Sequence, residues 1–112
     1  MTELRLNAYH IMWLFVFFDL PTNTKKERRN AARFRKDLEK DGFGMMQYSV
    51  YIRHCPSKEN MNVHIQRVRR FMPEAGCVSI LSITDKQYGE IVNFNGKVEQ
   101  QKLTSPQQLE LF

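Results

Sequence analysis

The chain has 112 residues, of which 42% are hydrophobic and 12% aromatic, with a formal net charge of +5. That length and apolar content fit one compact folded domain and speak against an intrinsically disordered chain. The basic balance points to a polyanionic partner, most often nucleic acid. Cys55 and Cys77 lack CxxC spacing, and His54 and His64 do not complete a zinc pattern, so both read as reduced cysteines of an intracellular protein.

The first predicted element is the unbroken apolar run Ile11 to Phe18, closed by Asp19-Leu20-Pro21. Eight residues, rich in aromatics and stopped by a proline, read as a buried strand. The run is far too short to span a bilayer, which predicts no membrane association. Glu3, Arg5 and the lack of a small-residue cleavage site after the run argue against a secretion signal, leaving the cytoplasm as the expected location. Asp19 stands at the mouth of this strand, where a carboxylate needs a donor or a cation to offset its desolvation. It either caps a turn or binds a metal.

Thr24-Lys25-Lys26-Glu27 fits a capping box, and Ala31, Phe34 and Leu38 recur at helical spacing until Gly42. From Met45 to His54 the pattern alternates: Met46, Tyr48, Val50 and Ile52 on one side, Gln47, Ser49, Tyr51 and Arg53 on the other, which predicts a strand. Pro56-Ser57 opens a second helix with Met61, Ile65, Val68 and Met72 on its apolar stripe, ended by Pro73 and Gly76. Cys77 to Ile83 reads as a further strand. A turn at Asp85-Lys86 leads to a last one near Glu90–Phe94, stopped at Asn95-Gly96.

This order is β-α-β-α-β-β. A ferredoxin-like β-α-β-β-α-β sheet, an α+β sandwich with two helices on one face, needs one more strand, and 43–55 has room for either a bent strand or a hairpin. That architecture is the expectation for a domain at 1–96, followed by a polar tail at 97–112. The first strand is apolar at both parities, so the sheet face away from the helices also needs cover. A second copy in a two-fold homodimer is the expected cover, and the chain's own tail is the alternative. The tail ends in Leu109-Glu110-Leu111-Phe112 and reads as a disordered end or as a docking segment that adds an edge strand.

Asp19 has no acidic or histidine neighbour in sequence. Two copies across a dimer axis would supply the one or two carboxylates that magnesium needs, and with it metal-assisted attack on a phosphodiester. Between Lys25 and Asp41 stand eight basic residues against four acidic ones. Arg29, Arg33, Lys36 and Lys40 fall at i, i+4, i+7 and i+11, one stripe able to meet consecutive phosphates without reading bases. Lys25, Lys26 and Arg28 extend it. The competing reading is a solvated face laced by Arg33–Asp37 and Arg35–Glu39 pairs. Arg53, Lys58, Arg67, Arg69 and Arg70 add further positive charge. Gly42-Phe43-Gly44 with Tyr48 suggests the aromatic strand of an RNA-recognition domain, but Asp41 and Met45 occupy the places where a cation and a stacking aromatic are needed.

Three segments together resemble the second CRISPR-associated protein family, the small dimeric partner of the spacer integrase, most closely its type II members. They are Phe17-Phe18-Asp19-Leu20-Pro21, then Gly42 with Met46-Gln47-Tyr48-Ser49-Val50-Tyr51, and Gly76 through Ile83-Thr84-Asp85-Lys86-Gln87-Tyr88. The resemblance spans about residues 11–96. It implies a ferredoxin-like core, with the last predicted strand as an added edge piece. It also implies a homodimer flanked by integrase dimers (the first CRISPR-associated protein) and holding a DNA duplex during spacer acquisition. Asp19 corresponds to the family's proposed magnesium ligand at the dimer axis, the site of a metal-dependent endonuclease activity described for some members and dispensable for acquisition in at least some systems. Tyr51 matches the aromatic of the second-strand motif. Many members carry an arginine where this chain has Met45, which counts against RNA cleavage in the same manner. The tail, by the same resemblance, supplies an edge strand and contacts to the integrase.

Overall fold

Strand β1 (Met12–Asp19) is the centre of the molecule, hydrogen-bonded on both sides within a four-stranded antiparallel sheet. The structure, a computed structural model, describes residues 11–96 and 98–100. Helix α1 (Lys25–Lys40) follows, opened by the expected capping box: Thr24 Oγ1 accepts from the Glu27 N–H at 3.1 Å and Glu27 returns a bond to the Thr24 N–H at 2.9 Å. Its Ala31, Phe34 and Leu38 are buried against the sheet, each large side chain contributing roughly 1.5–3 kcal/mol. Gly42, at φ 91°, takes the left-handed conformation that ends the helix.

The strand missing from the predicted order is present. Residues 44–55 form a hairpin of β2 (Gly44–Gln47) and β3 (Val50–Cys55) around a turn at Tyr48-Ser49, where Ser49 has φ 67°. A two-residue turn reverses the parity of a strand, and the register shift between Met45 and Gln47 reverses it again. Met46, Val50 and Ile52 therefore pack on one side, and the alternation runs through the turn as though it were one strand. Tyr48 leaves that pattern: it sits at the turn, 77% exposed, against Arg35 of α1.

Helix α2 (Lys58–Arg70) is capped by Ser57, whose hydroxyl accepts from the Asn60 N–H. Its buried residues are His64 and Val68, with Met61 and Ile65 partly buried, whereas Met72 lies beyond the helix and is exposed. Strand β4 (Cys77–Thr84) completes the sheet in the order β2-β3-β1-β4, so the chain follows the ferredoxin-like β-α-β-β-α-β plan. The expected turn at Asp85-Lys86 is instead a short helix, α3 (Asp85–Gly89), with its own capping box at Thr84 and Gln87. The last predicted strand shortens to β5 (Asn93–Asn95), which pairs with β6 (Val98–Gln100) in a separate two-stranded sheet and not with the edge of the main one. The tail expected to dock lies, from residue 101 onward, outside the described residues.

One core lies between the helices and the sheet and includes Leu14, Val16, Phe18, Phe34, Leu38 and Tyr51. A second, smaller one lies on the far face around Trp13, Phe15 and Ile52. The chain covers part of that face itself. Tyr88 of α3 stacks on Trp13 at 4.0 Å, and the Trp13 indole donates to Asp85 Oδ1 at 2.8 Å. At the other end of β1 the face is open. Phe15, Phe17, Val50, Leu81 and Ile83 line an apolar groove of about 360 Å³.

Candidate functional site

The seven cations Lys25, Lys26, Arg28, Arg29, Arg33, Lys36 and Lys40 are all exposed on α1. Only Arg28 is anchored: its guanidinium donates to the Thr22 carbonyl at 3.0 Å, ahead of the helix. Among the described residues the only ion pair joins Asp41 to Arg67, and Asp41 also shares a hydrogen bond with His64. The Arg33–Asp37 and Arg35–Glu39 pairs that would make α1 a self-neutralised face are therefore absent. Arg35 instead donates to the Tyr48 hydroxyl at 3.0 Å and lies 5.2 Å from the ring centroid, tying α1 to the β2–β3 turn. An amphipathic helix that buries Ala31, Phe34 and Leu38 must turn its charged positions outward, so the stripe follows from the packing.

Two of the other arginines are committed elsewhere. Arg53 donates to the Asp41 carbonyl at 2.6 Å and sits against Gly42, where a Cβ would fall 1.7 Å from Nη1. Arg67 donates to Asp41 Oδ1 at 3.0 Å. Arg53 thus holds the end of α1 and does not extend a basic surface, while Arg69 and Arg70 remain exposed at the end of α2.

The same carboxylate carries a network that the sequence reading passed over. Asp41 Oδ2 lies 2.7 Å from Nδ1 of the buried His64, so the C-terminus of α1 is clamped to α2 and, through Arg53, to β3. Sequence spacing held a signal for it: His64 lies three residues after Met61 and four before Val68, on the apolar stripe. A histidine there needs a buried partner.

Asp19 ends β1 on the same parity as Phe15 and Phe17, which places it at the rim of the open far face. Its register partner on β4 is Cys77. Gly76, at φ 101°, lets the start of β4 approach this point; a Cβ there would lie 2.9 Å from the Asp19 carbonyl and 2.7 Å from Leu20 Cδ2. Among the described residues no group of three or more metal-ligating side chains converges, at Asp19 or elsewhere. One chain thus offers one carboxylate at this rim. That suits a hard cation such as magnesium only as part of a shared set, with water or phosphate oxygens completing it.

Two buried side chains that could act as nucleophiles, Cys55 and Tyr51, are both held protonated. Burial pushes the Cys55 thiol up from 9.0, against a smaller lowering by Arg53. Burial, and next the Glu39 carboxylate, push the Tyr51 phenol up from 10.0. Both groups are protonated near neutral pH and act as packing residues of the main core. No helix among the described residues is long and apolar enough to cross a membrane.

Comparison with known proteins gives the family to which the chain is similar. The family model described as CRISPR associated protein Cas2 matches residues 12–91, from the start of β1 to just past α3. A protein of Flavobacterium psychrophilum named CRISPR-associated endoribonuclease Cas2 is 52% identical over 108 residues, covering 96% of this chain and 94% of that protein. A protein of the same name from Parvibaculum lavamentivorans is 54% identical over 101 residues, covering 90% of this chain and all of the relative. One from Paracidovorax avenae is 41% identical over 107 residues, covering 96% and 99%.

Proposed function

The chain belongs to the CRISPR associated protein Cas2 family, and on that premise we propose that it works in spacer acquisition as a homodimer that grips duplex DNA by its backbone and bridges integrase dimers. The observation that carries this reading is the cationic face of α1. Arg29, Arg33, Lys36 and Lys40 share one stripe, and none of them is neutralised by an ion pair among the described residues. Such a row suits phosphates and reads no bases, as a protein that accepts many different sequences requires. The far face supplies the dimer contact: its apolar groove lies on the side of the sheet opposite the helices, so two copies would meet there and leave both α1 stripes outward.

Binding of a blunt duplex at several salt concentrations tests the stripe. If its four cations each meet a phosphate, log K falls with log salt at a slope of about −3.6, so a fourfold rise in salt weakens binding about 150-fold. Replacing Arg29 and Arg33 by Glu leaves two cations, a slope of about −1.8 and a loss of about 12-fold over the same range. A slope that the double substitution leaves unchanged refutes the assignment.

A second reading rests on the placement of Asp19. At the rim of the proposed dimer face, two copies would contribute two carboxylates, and the relatives are named endoribonucleases. A magnesium ion held there would supply charge stabilisation at a phosphodiester and a bound water of lowered pKa. Asp19 of each copy would hold and position it, and Cys55 and Tyr51, buried in the main core, take no part. Asp19→Ala tests this reading: metal-dependent cleavage that persists in the variant removes it.

A further inference from the structure

Where α1 meets the end of α2, the basic surface opens into a cleft of about 450 Å³, a size that takes a small ligand. Lys26 and Arg33 of α1 line it together with Arg70 of the last turn of α2. None of these three cations forms an ion pair among the described residues, although Asp37 and Glu74 also line the cleft. The cleft has an apolar wall as well. Phe71 packs on the buried Phe34 with ring centroids 5.7 Å apart, and Met72, 41% exposed, follows it with Pro73. Asn30 adds an amide that can both donate and accept.

Simpler occupants leave part of this lining unused. Inorganic phosphate would meet the cations and leave the Phe71–Pro73 wall to water. A nucleoside would cover the wall and leave the cations without an anion. An acidic peptide would carry its carboxylates toward Asp37 and Glu74 as well as toward the cations, which costs affinity. A free nucleotide uses the whole lining: phosphates for the cations, a base face for the wall, and amino and hydroxyl groups for Asn30 and the carboxylates. One phosphate carries about two negative charges, so three cations fit a diphosphate better than a monophosphate. We propose that the cleft is a binding site for a free nucleoside diphosphate, its phosphates among Lys26, Arg33 and Arg70 and its base against Phe71 and Met72. Arg33 belongs both to the cleft and to the stripe of Arg29, Lys36 and Lys40. A bound nucleotide therefore withdraws one cation from the duplex-binding face and weakens the grip on DNA. The site itself stands on the cleft, and only this competition rests on the reading of α1.

Titration of the full chain with ADP, without added divalent cations, tests the site. In methyl-labelled protein the Met72 resonance shifts saturably, and calorimetry gives ADP at least tenfold tighter than inorganic phosphate or adenosine, the difference expected when both halves of the ligand find partners. Arg70→Gln and Met72→Ala each weaken ADP binding about tenfold. A Met72 resonance that ADP leaves unmoved, or an ADP affinity that both substitutions leave intact, overturns the proposal. Phosphate that binds as tightly as ADP makes the cleft an anion site and overturns the nucleotide assignment. The competition is read separately, from blunt-duplex binding with and without saturating ADP. Loss of one phosphate contact lowers the magnitude of the salt slope by about 0.9. If ADP binds and the duplex is insensitive to it, the shared use of Arg33 is overturned. If ADP binds and the duplex does not bind at all, the α1 reading fails and the site stands.

Discussion

Phe17→Glu separates a dimer face from a merely sticky surface. Phe17 projects from β1 beside Phe15, ring centroids 6.0 Å apart, and remains 38% exposed in the single chain. For a side chain of about 200 Å², that is on the order of 80 Å² still open to water. At about 25 cal/mol per Å², covering it contributes about 2 kcal/mol per copy and about 4 kcal/mol for the two copies of a dimer. Losing that much weakens self-association about 1000-fold, before any repulsion between the two introduced carboxylates. Sedimentation velocity over a concentration series measures the effect, and thermal unfolding serves as the control. Phe17 lies outside both buried clusters, so the variant should fold. An unchanged dimer dissociation constant in a folded variant refutes the assignment of this face. Leu81, 48% exposed on the same face, provides an independent repeat.

Asp41→Ala leaves the buried His64 without its hydrogen-bond partner and frees Arg67, a loss of about 1–3 kcal/mol for a buried polar group left unsatisfied. Thermal unfolding should show it as a fall on the order of 10 °C, and a fall under about 3 °C contradicts the clamp. Stability should also depend on alkaline pH. The folded-state values of Cys55 and Tyr51 are raised, so the folded protein keeps protons that the unfolded chain releases. The stabilisation from this source is complete below the unfolded thiol value of 9.0 and is lost as pH rises above it. Denaturant unfolding between pH 7 and 10.5 should show stability falling above pH 9. Cys55→Ala should flatten the part nearest pH 9, and a wild-type curve flat to pH 10.5 contradicts the burial argument.

The residues made some of this architecture legible and concealed the rest for physical reasons. β1 and both long helices declare themselves through an apolar run, two capping signals and helical periodicity. The β2–β3 hairpin is hidden because a bulge restores the alternation that its turn reverses. The turn carries Tyr48-Ser49 and no glycine or asparagine, so no turn chemistry marks it. α3 reads as a turn in sequence because five residues show no period, although its Thr84–Gln87 capping box is present there. Of the candidate site, the α1 cations follow from the same periodicity that buries Phe34 and Leu38. What sequence cannot supply is which charges are already spent. Arg53 and Arg67 look as available as Arg29 until the fold folds them onto Asp41. The cleft between α1 and α2 is equally invisible, since Lys26 and Arg70 are far apart in the chain and meet only across two packed helices.

The central claim is that the protein acts by holding duplex DNA between partners, with cutting not required. Spacer integration reconstituted with the integrase tests it in one assay, run side by side with wild-type protein, Asp19→Ala and the Arg29→Glu/Arg33→Glu double variant. Integration is expected near the wild-type level for Asp19→Ala and at least tenfold lower for the double variant at moderate salt. Full integration by the double variant, together with loss of integration in Asp19→Ala, would contradict it and place the function in the carboxylate.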